Sequence, residues 1–506
     1  MSESLLLSRF LEVTHERGAH VAIDDDWQSV TFAALATHAE RVATELVAAN
    51  LGHGARVSML VTQSARWVEA FFGIVLAGGV AVPLSHLHPE AEQRWFVEVS
   101  GARGLIVSED LEAKVAGYSE GRPVLRIETL RDSTREAIEP VRRDGDEPAV
   151  ILYTSGTTGK PKGALITHDN LAHLARLVAD AWHWSKKDVL LHALPLHHLH
   201  GLGISLFVAL LSGSRTRMLS RFDVARAWEE IGKSSVLMGV PTMHKKLLDA
   251  LEGADAMARE RWREHAAGLR LVTSGSAALP LTVGERWREL NGNYPLERFG
   301  MTEIGVGLTN PVDGERRPGT CGKPLNGMEI RVVTEAGSDA APGEAGEIWI
   351  RGPTVFKGYD GNEQATREAF SDGWFRSGDT ACWTDDGYLK ILGRTSIDIL
   401  KSGGYKLSAL EIEEVLREHE AIADVAVVGI PDETWGELAV AAVLAHPGRE
   451  QELEEELLRS WTKQRLASYK VPKRIVLLED FPRNPVGKVI KPELRRQLSE
   501  RFEGTS

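Results

Sequence analysis

From Arg56 to Gly275, short apolar runs alternate with segments whose large apolar residues recur at helical spacing. VSMLV is followed by Trp67, Phe71, Ile74 and Val75 at helix-face intervals, then by VAVPL after the Gly78–Gly79 break, and by GLIVS. Runs of this length bounded by turn signals read as buried strands. VLLHALPL (189–196), SSVLMGVP (234–241) and LRLVTSG (269–275) repeat the pattern, each ahead of helical periodicity. Strand and helix in alternation specify a layered, doubly wound α/β fold, and the pattern extends to about residue 300.

After Thr320 the texture changes. MEIRVVTEAGS and GEIWIRGP are short alternating strands with turn signals, which predicts a twisted, partly antiparallel sheet or small barrel. Past Gly393 and Arg394 comes another unit: ALEIEEVLREHE as helix, IADVAVVGIP and ELAVAAVLAH as strands, ELEEELLRSWTKQRL as an amphipathic helix and RIVLLEDFP as a strand. We expect a large domain over 1–393, a hinge over 394–398 and a small α+β domain over 399–506. The acidic run 452–456 reads as the solvated face of a helix, since leucines continue on its other side.

Bulk properties narrow the function. With 506 residues and 43% hydrophobic content the chain can bury several cores. A net charge of −13 argues against a general affinity for nucleic acid or anionic membrane, so any phosphate site must be local. The two cysteines, Cys321 and Cys382, have neither disulfide-framework nor zinc spacing. The most apolar stretch, Phe71 to Leu84, falls short of the ~20 residues a membrane helix requires, and the first residues lack the pattern of an export signal. We expect a soluble cytoplasmic protein.

The most informative segment for chemistry is YTSGTTGKPKG (153–163), directly after the apolar strand AVILY. Thr154, Ser155, Gly156, Thr157, Thr158, Gly159 and Lys160 can turn backbone N–H and hydroxyl groups inward on a polyphosphate, with Lys160 or Lys162 adding charge. A Walker A loop is excluded, because Thr154 stands where its first glycine belongs and Pro161 follows the lysine.

This loop resembles the phosphate loop of the acyl-adenylate-forming superfamily, which includes acyl-CoA synthetases, peptide-synthetase adenylation domains and firefly luciferase. The resemblance continues in order through ERFGMTE (297–303), WFRSGD (374–379), Gly393–Arg394 and PRNPVGK (482–488). It implies activation of a carboxylic acid by ATP as an acyl-adenylate with release of pyrophosphate, then transfer to coenzyme A. By that resemblance Lys488 bridges carboxylate and phosphate oxygens, Thr302 donates to the α-phosphate and Glu303 holds Mg²⁺. Phe299 stacks beside adenine within Glu297, Arg298, Gly300 and Met301, with Ser276 and Ala277 letting the base approach. Asp379 and Arg394 hold the ribose. Ser402, Gly403, Gly404 and Tyr405 resemble the loop that lines the pantetheine tunnel after the C-terminal domain rotates. An extra residue between Gly393–Arg394 and Gly403–Gly404 leaves Ser396 and Asp398 as candidate pivots, with Asp398 favoured.

PLHHLHG (195–201) and VPTMHKK (240–246) occupy the positions that shape the acyl pocket in that superfamily, with His198 and His200 gating or lining it and Val306 adjoining. SGSAALPL and GRTSIDILKSGGYKLSALEIE resemble the malonate-activating branch. A second carboxylate needs a cation in the pocket, because an unpaired buried charge costs several kcal/mol. Lys246 and Arg286 are the candidates, although the branch often carries arginine at the position of Lys246. A ligase for another short, branched, fatty or aromatic acid and a stand-alone adenylation enzyme loading a carrier protein are the alternatives.

Overall fold

A computed structural model describes residues 4–154, 161–402, 405–432, 435–483 and 489–503, apart from the side chains of Lys406 and Glu503. Two twisted sheets carry the first 320 residues. One orders its strands Gly358–Tyr359, Lys162–Thr167, Pro148–Thr154, Val80–Pro83, Arg56–Leu60, Gly104–Val107 and Val124–Arg126. From Pro148–Thr154 to Val124–Arg126 every pairing is parallel. The other runs Lys323–Pro324, Gly305–Thr309, Leu296–Met301, Leu271–Ser274, Val236–Gly239, Val189–His192, Arg215–Met218, Val21–Asp24 and Ser29–Thr31. Its strands from Leu296–Met301 to Val21–Asp24 are likewise parallel.

The helix Ala65–Leu76 is buried at every residue except Arg66, as its mostly apolar sequence requires. Its Phe71 and Phe72 meet Phe207 edge-on and tilted at centroid separations of 5.1 and 5.5 Å, and Phe72 stacks on Phe10 at 3.7 Å. One carboxylate lies inside this apolar layer. Glu69 is fully buried, with Arg131 at 3.0 Å and His38 at 2.8 Å.

The expected third unit is an antiparallel sheet in which Glu329–Val333, Gly346–Arg351, Trp374–Trp383 and Leu389–Arg394 follow one another. The C-terminal sheet orders Tyr405–Ser408, Ile399–Ser402, Gly436–Ala445 and Ile422–Asp432, with Arg474–Leu477 parallel to Gly436–Ala445. The hydrophobic core of the first three sheets ends at Leu389, and separate cores begin at Leu400 and Ala426. One element is shorter than its periodicity predicts. ELEEELLRSWTKQRL forms a 3₁₀ turn over Glu450–Leu453 and a helix only over Glu455–Lys463, because Glu454 takes an extended backbone between them. The acidic run is solvated apart from Glu455, which bonds Arg474 at 3.0 Å.

Arg131→Ala leaves the Glu69 carboxylate without its guanidinium inside the core. We expect a loss of about 3 kcal/mol of stability, read as a fall in the urea midpoint, whereas Glu45→Ala, at a partly exposed pair with Arg135, changes it by less than about 1 kcal/mol.

Candidate active site

In open α/β sheets ligands bind beyond the carboxyl ends of the parallel strands, and there this chain places several of the residues its sequence singled out. Leu271–Ser274 delivers Gly275 and Ser276, Leu296–Met301 delivers Thr302 and Glu303, and Val189–His192 leads to His198 and His200. Ser276 sits in the left-handed region at φ 68°, uncommon for a non-glycine residue. Its hydroxyl lies 3.0 Å from His200 Nδ1 and so joins the loop assigned to adenine to the segment assigned to the acid. His200 opens a π-helical stretch, His200–Phe207, a geometry that recurs at functional sites.

The imidazoles here are held neutral. Burial lowers His198 to about 4 and His244 to about 4, and drives His200 well below its ordinary value with help from the Arg298 charge. His198 is open to solvent and yet surrounded by protein, the placement of a group lining a deep cleft. His197 lies tilted against it at 4.2 Å and edge-on to His88 at 5.5 Å.

Arg298, which the resemblance sets in the nucleotide motif, has an environment of its own. Its guanidinium is buried, lies so close to Gly275 that a Cβ there would stand 2.5 Å from Nε, and leaves Nη2 without a hydrogen-bond partner. Burial alone lowers it to about 10. No carboxylate among the described residues forms an ion pair with it. A buried cation without its anion is a place for an anionic ligand.

Neither of the two cations expected for a second carboxylate is buried. Lys246 is exposed on the helix Pro241–Gly253, away from the face that buries Met243, His244, Leu247 and Leu248. Arg286, on the helix Leu281–Asn291, bonds Glu252 and lies 3.7 Å from Asp249. Val306 is fully buried in the core.

Glu303 is buried, and its carboxylate accepts a hydrogen bond of 3.0 Å from the Tyr359 hydroxyl. Burial raises its pKa, with Arg394 and Lys162 pulling the other way. Lys162 in turn stands 5.1 Å from the Tyr359 ring centroid, so the strand leaving the phosphate loop reaches the same corner. Thr154 closes the loop's base by donating to the Lys162 carbonyl at 3.4 Å. One buried carboxylate is a donor set that suits Mg²⁺ shared with substrate phosphates, since that ion keeps several waters and takes few protein ligands.

On the neighbouring sheet Asp379 and Arg394 are paired across adjacent strands, with Arg394 Nε 3.1 Å from the Asp379 carboxylate and Nη1 donating to the Ser377 carbonyl at 2.8 Å. Phe299 is buried, Gly300, Met301 and Thr302 are half-buried, and Ala277 is exposed beside Ser276. Ser402 is buried, whereas Tyr405 is 55% exposed and stacks on Tyr469 at 4.6 Å. Ser155, Gly156, Thr157, Thr158, Gly159, Lys160, Gly403, Gly404 and Lys488 lie outside the described residues.

Comparison with known proteins bears on this site. Residues 10–360 match the family described as AMP-binding enzyme, and residues 411–488 match the AMP-binding enzyme C-terminal domain. The mitochondrial malonate–CoA ligase ACSF3 of Mus musculus is 41% identical over 485 residues, spanning 88% of this chain and 82% of the relative. The crystal structure of ATP-bound MatB from Rhodopseudomonas palustris superposes with a TM-score of 0.91 at 32% identity, covering 99% of this chain and 100% of that one. O-succinylbenzoate coenzyme A synthetase (MenE) from Bacillus subtilis, solved with ATP and magnesium ion, gives 0.84 at 30% identity, covering 98% and 99%.

Glu297 supplies a test by pH. Burial pushes its carboxyl from the ordinary 4.5 up to about 7, against backbone N–H groups of Gly319 and Leu279 that favour the anion. The folded form therefore holds a proton that the unfolded chain releases, so the stability this contributes is full below 4.5 and is lost as the pH rises through about 7. Glu297→Gln should flatten the decline in urea midpoint between those limits, with little difference from the parent at pH 4.5 and the largest gain above pH 7.

Proposed function

Because the chain belongs to the family of AMP-binding enzymes, we propose that it is an ATP-dependent acid:CoA ligase acting on malonate. It forms malonyl-AMP and pyrophosphate, and then malonyl-CoA and AMP. The observation that carries the choice of acid is Arg298, a buried guanidinium with an unpaired Nη2 beside the His200–Ser276 contact. A carboxylate in that place supplies the missing anion, and arginine's planar fork binds it in two parallel hydrogen bonds. We give Arg298 the part for which the sequence offered Lys246 or Arg286. The malonate–CoA ligases among its relatives support the same reading.

The remaining roles follow from charge. A free carboxylate does not react with a thiol, because the leaving oxygen is too basic, so the acid is first joined to AMP. Attack by one anion on another at the α-phosphate requires donors and cations arranged before the reaction. We assign that work to the loop 154–160, to Thr302 and to Lys488. Mg²⁺, when bound at Glu303, offsets triphosphate charge. Asp379 accepts from the ribose hydroxyls while Arg394 fixes its orientation. Neutral His198 and His200 leave Arg298 the cation that the distal carboxylate meets. We place the domain boundary within 394–398, where the two sets of cores separate, with Asp398 as the pivot and Ser402 to Tyr405 along the CoA path. No helix among the described residues is long and apolar enough to cross a membrane, and two free cysteines suit a reducing cytoplasm.

A panel of malonate, methylmalonate, acetate and octanoate, assayed for CoA-dependent AMP release, tests the acid. Malonate should exceed acetate by at least about tenfold in kcat/KM, and equal rates would refute the assignment. Arg298→Leu should lower kcat/KM for malonate about 100-fold, as loss of a buried charge pair does, with far less effect on acetate. Lys488→Ala should slow pyrophosphate release by about 100-fold or more while sparing CoA thioester formation from supplied malonyl-AMP. Equal loss in both steps rejects its role.

A further inference from the structure

The residues between the two domains are tied by a contact that the ligase chemistry does not itself require. Gly393 has φ 130°, and a Cβ there would lie 2.3 Å from the Asp398 Cβ, so the segment 393–398 is wound tightly around the Asp398 side chain. The Asp398 amide donates to the Arg394 carbonyl at 2.7 Å, and its Oδ2 accepts from the Arg394 amide at 3.0 Å. Its carbonyl accepts from the Ala409 amide at 2.8 Å, where the first helix of the C-terminal domain begins. The other carboxylate oxygen, Oδ1, lies 2.5 Å from the Nζ of Lys491.

Lys491 is itself enclosed, with 13% of its side chain exposed, and its ammonium also meets Glu413 Oε1 at 2.7 Å. Glu413 is braced from two more directions, by Arg417 Nη2 at 3.1 Å and by the Val427 amide at 2.8 Å. Directly before Lys491, the Ile490 amide donates to the Pro482 carbonyl at 2.7 Å, and Arg483 pairs with Val489. These contacts close the base of the segment that carries Lys488. Lys491 therefore stands at the junction of the pivot, the C-terminal domain and the base of that segment.

We propose that Lys491 is a positioning residue for adenylation, whose grip on Asp398 sets the base of the Lys488 segment relative to the Asp379–Arg394 pair. The proposal rests on the ligase reading for its kinetic consequence only. The continuity is covalent and electrostatic: Arg394 holds Asp379 through its side chain and Asp398 through its backbone, and Asp398 holds Lys491, three residues from Lys488. Two carboxylates on one ammonium give the contact direction. When Lys491 is replaced, Glu413 keeps Arg417, while Asp398 loses the ammonium that balances it. Rotation of the C-terminal domain for the second half-reaction has to part or carry this contact, so the lysine should matter to one step and not the other.

The test compares full-length parent, Lys491→Met and Lys491→Arg. Lys491→Met should slow malonate-dependent pyrophosphate release about 100-fold, the scale of a misplaced reacting group, while thioester formation from supplied malonyl-AMP stays within about twofold. Lys491→Arg should recover most of the loss. Hydrogen exchange supplies a readout independent of activity: peptides spanning 393–398 and 409 should exchange faster in Lys491→Met, with the strand Leu271–Ser274 unchanged. An equal fall in both half-reactions, or unaltered exchange at 393–398, overturns the proposal. If Lys491→Met does not fold, Asp398→Asn is read by the same two measurements, with the same outcomes deciding. Should the parent release no pyrophosphate with any acid, the ligase reading fails, and the exchange arm alone decides whether Lys491 holds the pivot.

Discussion

The Arg394–Asp379 pair is the constraint on which the arrangement of this chain turns. Both residues belong to an antiparallel sheet with no part in the parallel layers, and their register across adjacent strands brings guanidinium and carboxylate to 3.1 Å. Arg394 is also the residue at which the large hydrophobic core has ended and the smaller ones have not begun. A single side chain thus faces the site while its backbone enters the tight turn around Asp398. The Asp379–Arg394 pair and the turn into the C-terminal domain consequently share one short segment.

Electrostatics inside the cleft follow from burial. A low-dielectric wall makes ionised histidine expensive, so the imidazoles around the cleft are neutral at ordinary pH. Arginine resists the same pressure because its reference value is so high, and Arg298 keeps its charge even when lowered to about 10. Among the described residues the contrast leaves Arg298 a buried cation beside neutral imidazoles. Glu303 is the counterpart on the phosphate side, a buried carboxylate steadied by Tyr359 with Lys162 near enough to favour its anion. Charges of opposite sign are thereby buried at two separate places, Arg298 and Glu303.

Much of this was legible in the chain. VSMLV, VAVPL, GLIVS, VLLHALPL, SSVLMGVP and LRLVTSG each contain a strand of the two large sheets, because an apolar run bounded by turn residues has few other ways to hide. The ordered motifs from Tyr153 to Lys488 pointed to the family to which the chain belongs. What misled was local: the helical period over residues 452–466 ran through Glu454, whose extended backbone divides it. Arg286 and Lys246 looked equivalent to any other helical cation, and only packing distinguishes a guanidinium engaged by Glu252 from an ammonium left on the open face.

By itself, then, the amino-acid order determined the layers and the class of chemistry, since these depend on periodicity and on residue types at short spacing. Which arginine is buried without an anion, how Ser276 meets His200 from 76 residues away and how Lys491 reaches Asp398 across 93 were decided only by the tertiary structure. The physical reason is that desolvation and charge pairing depend on distances through space, and those are set by how the sheets stack.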